Sequence, residues 1–423
     1  MSSICCYFQV HQPLRHRHFT VFDFKQGLSY EDEEKNREIL NKVAEKCYLP
    51  ANRVMLDLIR KYRGDFRMAF SITGVLLEQL EMFNQEALDS FKRLADTGCV
   101  EFLSETYYHS LASLYSLREF KEQVEIHRKK IKLLFGQTPQ TFRNTELIYS
   151  NDLAKLVEKM GFKAILAEGA DRLLGGRSPN RVYQPAGGAK LKLLLRNYRL
   201  SDDIAFRFSN RQWPDNPLTA DKFAHWLHQT NAADQTINLF MDYETFGEHQ
   251  WQDTGIFDFL RAFPGEVMKH PGFRFQTPRE VVRDHDPAGQ FDAPNPVSWA
   301  DIERDLTAWV GNPLQNDAIL ALYALERKVR KTKNAELLNI WRRLQTSDHF
   351  YYMCTKWFAD GDVHKYFNPH ASPYDAYINY MNILADFSDV LSAEAAGGRL
   401  PSHNPAPRRQ VVRKTQANEG IVG

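Results

Sequence analysis

The chain has 423 residues, of which 54 are basic and 53 acidic, so its formal net charge is only +1, and aromatic residues make up 13%. This balance gives no electrostatic basis for a nucleic-acid partner, and no apolar stretch reaches the roughly 18 residues that a membrane span requires. The composition is typical of a soluble enzyme with a large core and room for a second, smaller region.

The N-terminus runs directly into the apolar residues 4–10 (ICCYFQV), without the basic region and cleavage site of a secretory signal. We therefore expect a cytoplasmic protein. The five cysteines are scattered and none has Cys-x-x-Cys spacing, so they predict neither a disulfide framework nor a zinc site.

Short β-rich runs alternate with helical patterns as far as about residue 290, which predicts a mostly parallel sheet or barrel. The predicted strands are 3–10, 67–72, 100–105, 141–145, 164–167, 190–195, 236–241 and 273–276. Apolar positions at three-and-four spacing predict flanking helices. These helices are 31–63, 76–97, 117–135 and 151–160.

Beyond about residue 299 the pattern becomes almost purely helical, with predicted helices at 318–331, 335–356 and 375–393. We predict a catalytic barrel over 1–297 and a helical bundle over 298–395 that completes the active-site cleft. Residues 396–423 mix Gly, Pro and Asn with a basic cluster that includes Arg408 and Arg413. A solvated, disordered tail is favoured there over a nucleic-acid or membrane contact.

Residues 238–249 (NLFMDYETFGEH) join an apolar run to three carboxylates and a histidine. In a parallel barrel, catalytic groups project from the carboxyl ends of the strands. Asp242 and Glu244 are two residues apart, so on a strand they point to the same face. The alternative is a helix N-terminus capped by Thr245, but capping requires only one carboxylate and does not explain Gly247.

Other predicted strands also end in acids, amides and aromatic residues. His11 follows the first strand, Glu105 and His109 lie at the end of the third, and Glu146 lies at the end of the fourth. Glycoside hydrolysis requires one carboxylic acid, one carboxylate and aromatic faces that hold sugar rings. The chain has no Gly-rich phosphate loop of either common pattern, which argues against a nucleotide site.

Four motifs, in this order and spacing, resemble those of glycoside hydrolase family 57. They are HQP at 11–13, GVLLE at 74–78, TELIY at 145–149 with Gly161 downstream, and DYETFG at 242–247. Residues 347–352 (SDHFYY) resemble the last motif of the family, and residues 307–312 (TAWVGN) are similar to a segment of its α-amylase-like members. The resemblance covers about residues 4 to 390.

The resemblance implies an α/β fold, an incomplete (β/α)7 barrel followed by a C-terminal helical bundle. It also implies retaining cleavage of α-1,4-glucans or maltooligosaccharides through a covalent glycosyl-enzyme intermediate, with no metal and no organic cofactor. Its implied nucleophile is Glu146 and its implied general acid/base is Asp242. The residues that it places around the scissile bond are His11, Glu78, Glu244 and Asp348.

These roles set requirements on ionisation. Glu146 must be a carboxylate, so hydrogen-bond donors or a cation such as Arg143 should lower its pKa. Asp242 must carry a proton in the first step, which requires burial or a nearby negative charge from Glu244 or Glu248. His11 is expected to donate a hydrogen bond to the reacting sugar, with a core histidine before a turn proline as the alternative.

Further candidates are less specific. Glu105 and His109 are expected to bind sugar hydroxyls, or to form half a metal site if they share a helix face. Glu168 is a rival nucleophile because it also ends a strand. The aromatic candidates for stacking on glucose are Trp251, Trp309, Tyr351 and Trp357, and core packing is the alternative for each.

Thr145 and Leu147 flank Glu146, where several family members have an aromatic residue and an arginine. The favoured interpretation is an α-amylase-like hydrolase. Its alternatives are a 4-α-glucanotransferase or branching enzyme, a metal-dependent polysaccharide deacetylase, and a non-catalytic glucan-binding protein. The sequence makes no prediction of oligomeric state.

Overall fold

A computed structural model describes residues 1–27, 29–356 and 368–396. Trp357 and all but the first residue of the tail predicted over 396–423 lie outside this part of the chain. The strands are β1 Ser2–Val10, β2 Met68–Ile72, β3 Val100–Phe102, β4 Thr141–Arg143, β5 Ala164–Glu168, β6 Val182–Pro185, β7 Lys192–Arg196, β8 Thr236–Asp242, β9 Phe273–Phe275 and β10 Gln290–Phe291.

The helices that surround the strands are α1 Glu33–Val43, α2 Leu49–Lys61, α3 Gly74–Phe83, α4 Gln85–Ala95, α5 Ala112–Tyr115, α6 Leu117–Phe135, α7 Asn151–Lys159, α8 Asp171–Leu174, α9 Tyr198–Ala205, α10 Ala220–His228, α11 Ile256–Met268 and α12 Pro278–Asp284. The helices that follow β10 are α13 Thr307–Val310, α14 Pro313–Ala324, α15 Glu326–Thr332, α16 Ala335–Arg343, α17 Ser347–Tyr351 and α18 Pro373–Ala395.

Seven parallel strands form an incomplete barrel. One sheet has the order β3-β2-β1-β8, and a second sheet joins β4, β5 and β7. The first junction between the sheets is a single parallel bridge from Ser104 to Phe142. At the second junction, the Asn197 amide donates to the carbonyl of Asn238 at 2.9 Å. This arrangement confirms the predicted (β/α)7-type fold and brings the carboxyl ends of all seven strands to one face.

Strand β1 shows why the barrel has two apolar surfaces. Residues Ile4, Cys6 and Phe8 belong to the outer core under the helices, whereas Cys5 and Tyr7 belong to the cluster inside the barrel. Alternate residues of a strand point to opposite faces, so both faces of this strand are buried. This double burial explains the nearly continuous apolar sequence of β1.

The helices after β10 share a core around Trp309, Trp341 and Phe387, which Phe19 and Tyr30 of the segment after β1 also enter. Buried ion pairs attach this bundle to helix α6. Glu119 of α6 is fully buried and contacts Arg330 at 2.7 Å and Arg342 at 2.8 Å. Among the described residues, no helix has the length and apolar composition of a membrane span.

Candidate active site

A cavity of about 650 Å³ opens at the carboxyl ends of the barrel strands, as expected for the active site of such a barrel. Strand ends supply most of its wall, and residues after the barrel complete it. Seven of the nine predicted site residues line this cavity: His11, His109, Glu146, Asp242, Glu244, Asp348 and Tyr351.

Glu146 lies in a tight turn directly after β4. Residues Thr145–Leu147 form one 3-10 turn, in which Glu146 has φ 57° and ψ 26° and Leu147 has φ 52°. This left-handed conformation costs a non-glycine residue roughly 1–3 kcal/mol and is found where surrounding contacts enforce it. The Leu147 amide donates to the Asn144 carbonyl at 3.0 Å. The turn thus ends the strand abruptly and directs the carboxylate into the cavity.

His109 connects Glu146 to a second, deeper carboxylate. Its Nε2 lies 3.0 Å from Glu146 Oε1, and its Nδ1 lies 3.4 Å from Glu105 Oε2. Burial alone would lower the pKa of His109, but hydrogen bonds to Glu105 and Glu146 outweigh it and raise the pKa to about 9. His109 is therefore an imidazolium at neutral pH, and each ring nitrogen donates to a carboxylate.

The same contacts keep both carboxylates ionised. Burial opposes ionisation of Glu146. The hydrogen bond and the charge of His109, followed by the charge of Arg143, outweigh burial and lower the pKa of Glu146. The pKa of Glu105 falls to about 2 because His109 and Arg143 outweigh its burial. Glu105 also accepts hydrogen bonds from Gln9 at 3.2 Å and from Ser71. The expected effect of Arg143 on Glu146 is present, although His109 has the larger effect.

His11 and Asp348 form a second pair across the cavity. His11 Nε2 lies 2.9 Å from Asp348 Oδ2, and His11 Nδ1 lies 2.9 Å from the Thr73 hydroxyl. Burial and the stacked His109 ring, 4.0 Å away, lower the pKa of His11. A neutral His11 therefore donates to Asp348 and accepts from Thr73. Asp348 is ionised, because His11 and His109 offset its burial and lower its pKa.

The pKa of Asp242 is shifted in the opposite direction to that of Glu146. Asp242 ends β8, pairs in register with Gln9 of β1, and its pKa is raised to about 6 by burial and by the negative charge of Glu146. Glu244 is more deeply buried, and burial together with Asp242 raises its own pKa to about 8. Its Oε1 accepts a hydrogen bond from the Tyr48 hydroxyl at 2.5 Å. Glu244 is thus neutral near pH 7, and the charge that raises the pKa of Asp242 comes from Glu146 instead of Glu244 or Glu248.

Two predicted site residues do not reach the cavity. Glu78 is held outside it on α3, where its carboxylate accepts from the Tyr107 hydroxyl at 2.9 Å and contacts Arg343 at 3.0 Å. Glu105 lies behind His109, fully buried, so it holds the histidine instead of facing a sugar. The rival nucleophile Glu168 is likewise fully buried and pairs with Arg196 at 3.2 Å.

The aromatic candidates separate in the same way. Tyr351 lines the cavity, and its ring centroid lies 6.0 Å from that of Trp309. Trp309 also borders the cavity but is 98% buried in the bundle core, since only 2% of its surface is exposed. Trp251 is exposed on the surface and does not line the cavity. Trp299, which the sequence analysis missed, contacts Glu146 directly. The only sequence signal for it was a tryptophan in an otherwise polar loop.

Within the described residues, His11, His109 and Asp348 form the one cluster that offers three metal-ligand atoms, which lie within 4.8 Å of one another. A bound cation would require an unprotonated His109 nitrogen. With the pKa of His109 raised to about 9, both ring nitrogens are protonated at neutral pH and donate to Glu146 and Glu105. The donor set therefore fits an ion only if His109 loses a proton and gives up one of these two contacts.

Comparisons with known proteins identify related sequences and structures. The model of "Glycosyl hydrolase family 57" matches residues 5–294. A Methanocaldococcus jannaschii protein named "Putative alpha-amylase" is 45% identical over 409 residues, which cover 94% of this chain and 86% of that protein.

Two solved structures share the fold. A GH57-type branching enzyme from Pyrococcus horikoshii has a TM-score of 0.66 at 15% identity, with 95% of this chain and 92% of that chain covered. A 4-alpha-glucanotransferase from Thermococcus litoralis has a TM-score of 0.64 at 16% identity, with 83% of this chain and 56% of that chain covered. With a family model that matches most of its length, this chain belongs to glycosyl hydrolase family 57.

Proposed function

We propose that this chain is a retaining, α-amylase-like glycoside hydrolase that cleaves α-1,4-glucans, with Glu146 as nucleophile and Asp242 as general acid/base. The observation that supports it best is that the pKa values of two acids in one cavity are shifted in opposite directions. The pKa of Glu146 is lowered and the pKa of Asp242 is raised to about 6. Neighbouring carboxylates whose environments separate their pKa values are the pattern expected of a nucleophile and an acid.

In the first step, Asp242 protonates the glycosidic oxygen while Glu146 attacks the anomeric carbon, which breaks the bond to the leaving sugar. The ester that forms removes the negative charge of Glu146. After burial, that charge is the second largest cause of the raised pKa of Asp242. Asp242 is then a carboxylate with a lower pKa, and it takes a proton from the water that hydrolyses the ester.

Substrate roles follow from position. His11 and Tyr351 both face the cavity, and Nε2 of His11 is hydrogen-bonded to Asp348. We propose that these two residues contact the reacting sugar and the next ring. Glu244, protonated near pH 7, has a hydrogen to donate to a sugar hydroxyl. The class of substrate rests on family membership and on the α-amylase name of the relative at 45% identity.

The test uses Glu146→Gln and Asp242→Asn with soluble starch and maltooligosaccharides. Each variant should lose about 10²- to 10⁴-fold or more of its turnover. Both should keep the fold, measured by circular dichroism, and should still bind maltooligosaccharides, measured by calorimetry. Unchanged turnover in either variant contradicts the assignment.

A fluorinated glycosyl fluoride that forms a slowly hydrolysed ester identifies the nucleophile independently. Peptide mass spectrometry should find the label on Glu146. A label on Glu168, the buried acid beside Arg196, would overturn the choice of nucleophile without excluding glycoside hydrolysis.

Transfer to a sugar hydroxyl uses the same covalent intermediate as hydrolysis, and the two solved structures above are named for transfer reactions. Products from one purified maltooligosaccharide distinguish the outcomes. Shorter products alone are expected for the hydrolase, longer linear products indicate 4-α-transfer, and new α-1,6 linkages indicate branching.

A further inference from the structure

The chain that leaves the barrel passes alongside the turn that holds Glu146. Val297 and Tyr149 exchange two backbone hydrogen bonds of 2.9 Å as an antiparallel pair. This register brings Trp299 next to the turn, where its amide donates to the Glu146 carbonyl at 3.2 Å. The position of Trp299 is therefore fixed by backbone contacts to the residue whose side chain it meets.

The indole of Trp299 also donates to the carboxylate. Its Nε1 lies 2.8 Å from Glu146 Oε2, while Oε1 is held by His109 at 3.0 Å and by the Ser347 hydroxyl at 3.4 Å. A carboxylate with donors on both oxygens cannot rotate without losing a hydrogen bond. Those on Glu146 are charge-assisted, since the acceptor is an anion, and are stronger than neutral hydrogen bonds.

Two guanidinium groups hold the Trp299 ring. Arg143 lies 4.8 Å and Arg196 lies 5.7 Å from the ring centroid, within the range of cation–π attraction. Arg196 is itself fixed by Glu168, by Asp202 and by the Phe240 carbonyl at 2.8 Å. The ring is thus anchored to β4 and β7, and its N–H is directed at Glu146.

We propose that Trp299 is a positioning residue for Glu146, which fixes the plane of the nucleophilic carboxylate through the indole N–H and the backbone amide. The proposal rests on the proposed function, in which Glu146 is the nucleophile. It assigns a role in the reaction to the segment that connects the barrel to the bundle.

The test compares Trp299→Phe with Trp341→Phe. Phenylalanine keeps an aromatic ring between the arginines but removes the N–H. Trp341 is fully buried in the bundle and donates its indole N–H to the Leu322 carbonyl at 2.9 Å, so its variant loses a similar hydrogen bond far from Glu146. Trp299→Phe should lower kcat about 10- to 100-fold, the usual effect of removing a hydrogen bond to a charged group. KM should change little, because the N–H contacts Glu146 and not the sugar.

The pH profile separates positioning from a structural effect. A donor to the ionised carboxylate favours ionisation, so its removal raises the pKa of Glu146. The acid limb of kcat/KM should therefore move to higher pH in Trp299→Phe and stay in place in Trp341→Phe. Trp299→His, which keeps a ring N–H, should lose less activity than Trp299→Phe.

The proposal is overturned if the acid limb of kcat/KM lies at the same pH in Trp299→Phe and Trp341→Phe, or if Trp299→His loses as much activity as Trp299→Phe. It is also overturned if Trp299→Phe raises KM and leaves kcat unchanged, which would mark Trp299 as a sugar-stacking surface. Glu146→Gln serves as the reference. If that variant keeps its turnover, the proposed function itself fails, whereas an inactive Glu146→Gln with an unaltered Trp299→Phe refutes only the positioning role.

Discussion

The buried imidazolium of His109 ties the stability of the site to pH. A histidine whose folded pKa is raised from 6.5 to about 9 stabilises the folded state fully below pH 6.5 and loses that contribution as pH rises toward 9. Glu105, with a pKa lowered from 4.5 to about 2, contributes above pH 4.5 and loses its contribution as pH falls toward 2. Both contributions are complete only between about pH 4.5 and 6.5.

His109→Gln should remove the decline in unfolding free energy between pH 6.5 and 9, which amounts to about 3 kcal/mol for this pKa shift. Urea unfolding at pH 6 and pH 9 measures it. His127→Gln is the matched control, because His127 is also fully buried but burial lowers its pKa, so it is neutral over this range. If the two variants show the same pH dependence, His109 is not the buried cation.

As the proposed general acid/base, Asp242 should determine the alkaline side of the activity profile. With a pKa raised to about 6 in the free enzyme, it loses the required proton above that pH, so kcat/KM should decline there. Glu244→Gln tests the source of the shift. Because Glu244 has a pKa of about 8 and is neutral where Asp242 titrates, the alkaline limb should move by less than about half a pH unit. A larger move to lower pH would show that Glu244 supplies the charge.

At the scale of elements, Gly247 fixes how two segments meet. It has φ 115°, and a Cβ at this position would lie 2.0 Å from the Lys46 carbonyl oxygen. Lys46 belongs to the π-helical turn Ala44–Tyr48 between α1 and α2, which places the Tyr48 hydroxyl on Glu244. The glycine at the end of the DYETFG motif thus lets backbone pass against backbone beside the acids.

Gly247→Ala should lower the unfolding free energy by about 3 kcal/mol or more, because overpacking adds to backbone strain. Gly255→Ala is the control, since Gly255 has φ 85° but no atom within 4 Å of an added Cβ. It should cost only about 1 kcal/mol, from the left-handed conformation alone. If Gly247→Ala and Gly255→Ala had the same urea midpoint, the backbone at Lys46 would move away from the added Cβ at no measurable cost.

Several elements were predicted with the right type and the wrong bounds. Residues 76–97 form two helices because Asn84 ends α3 and caps α4 through its side chain. Strand β3 stops at Phe102, before Glu105, whereas β8 continues through Asp242. The strands β6 and β10 are short and were not predicted. The helices α9 to α11 were also missed, although Ile256, Phe259, Phe263 and Val267 give α11 apolar residues at three-and-four spacing.

At the scale of the whole molecule, the bundle is held to the barrel by buried charge. Glu119→Gln should lower the unfolding free energy by about 3 kcal/mol, because Arg330 and Arg342 then lose their buried counterion. Glu125→Gln on the same helix is the control. Its side chain is 51% exposed and its partners are 3.8 Å away, so it should change stability by less than about 0.5 kcal/mol. Similar urea midpoints would show that this junction does not depend on Glu119.

Chelation distinguishes the classes of enzyme. Activity on maltooligosaccharides should survive prolonged dialysis against EDTA, because the proposed steps use only Glu146, Asp242 and water. Release of acetate from acetylated glycans that stops with EDTA would instead favour a metal-dependent deacetylase at His11, His109 and Asp348. Reducing-sugar and acetate assays on the same sample decide between them.

The sequence by itself determined the parallel barrel, the following helices and the concentration of acids at the strand ends. Alternating strand and helix patterns lead to parallel strands, whose carboxyl ends share one face, so Asp242 and Glu146 were expected there together. The separation of the chain into 1–297, 298–395 and a tail stays a prediction.

Only the tertiary structure decided in which direction the pKa of each acid is shifted and which residues cause the shift. Helix α3 directs Glu78 away from the cavity and toward Arg343. His11 contacts Asp348, which is 337 residues away in the sequence, and Glu146 contacts Trp299, which is 153 residues away. Ionisation depends on burial and on contacts a few ångströms long. When the contacting residues come from separate elements, their spacing along the chain predicts neither the burial nor the contacts.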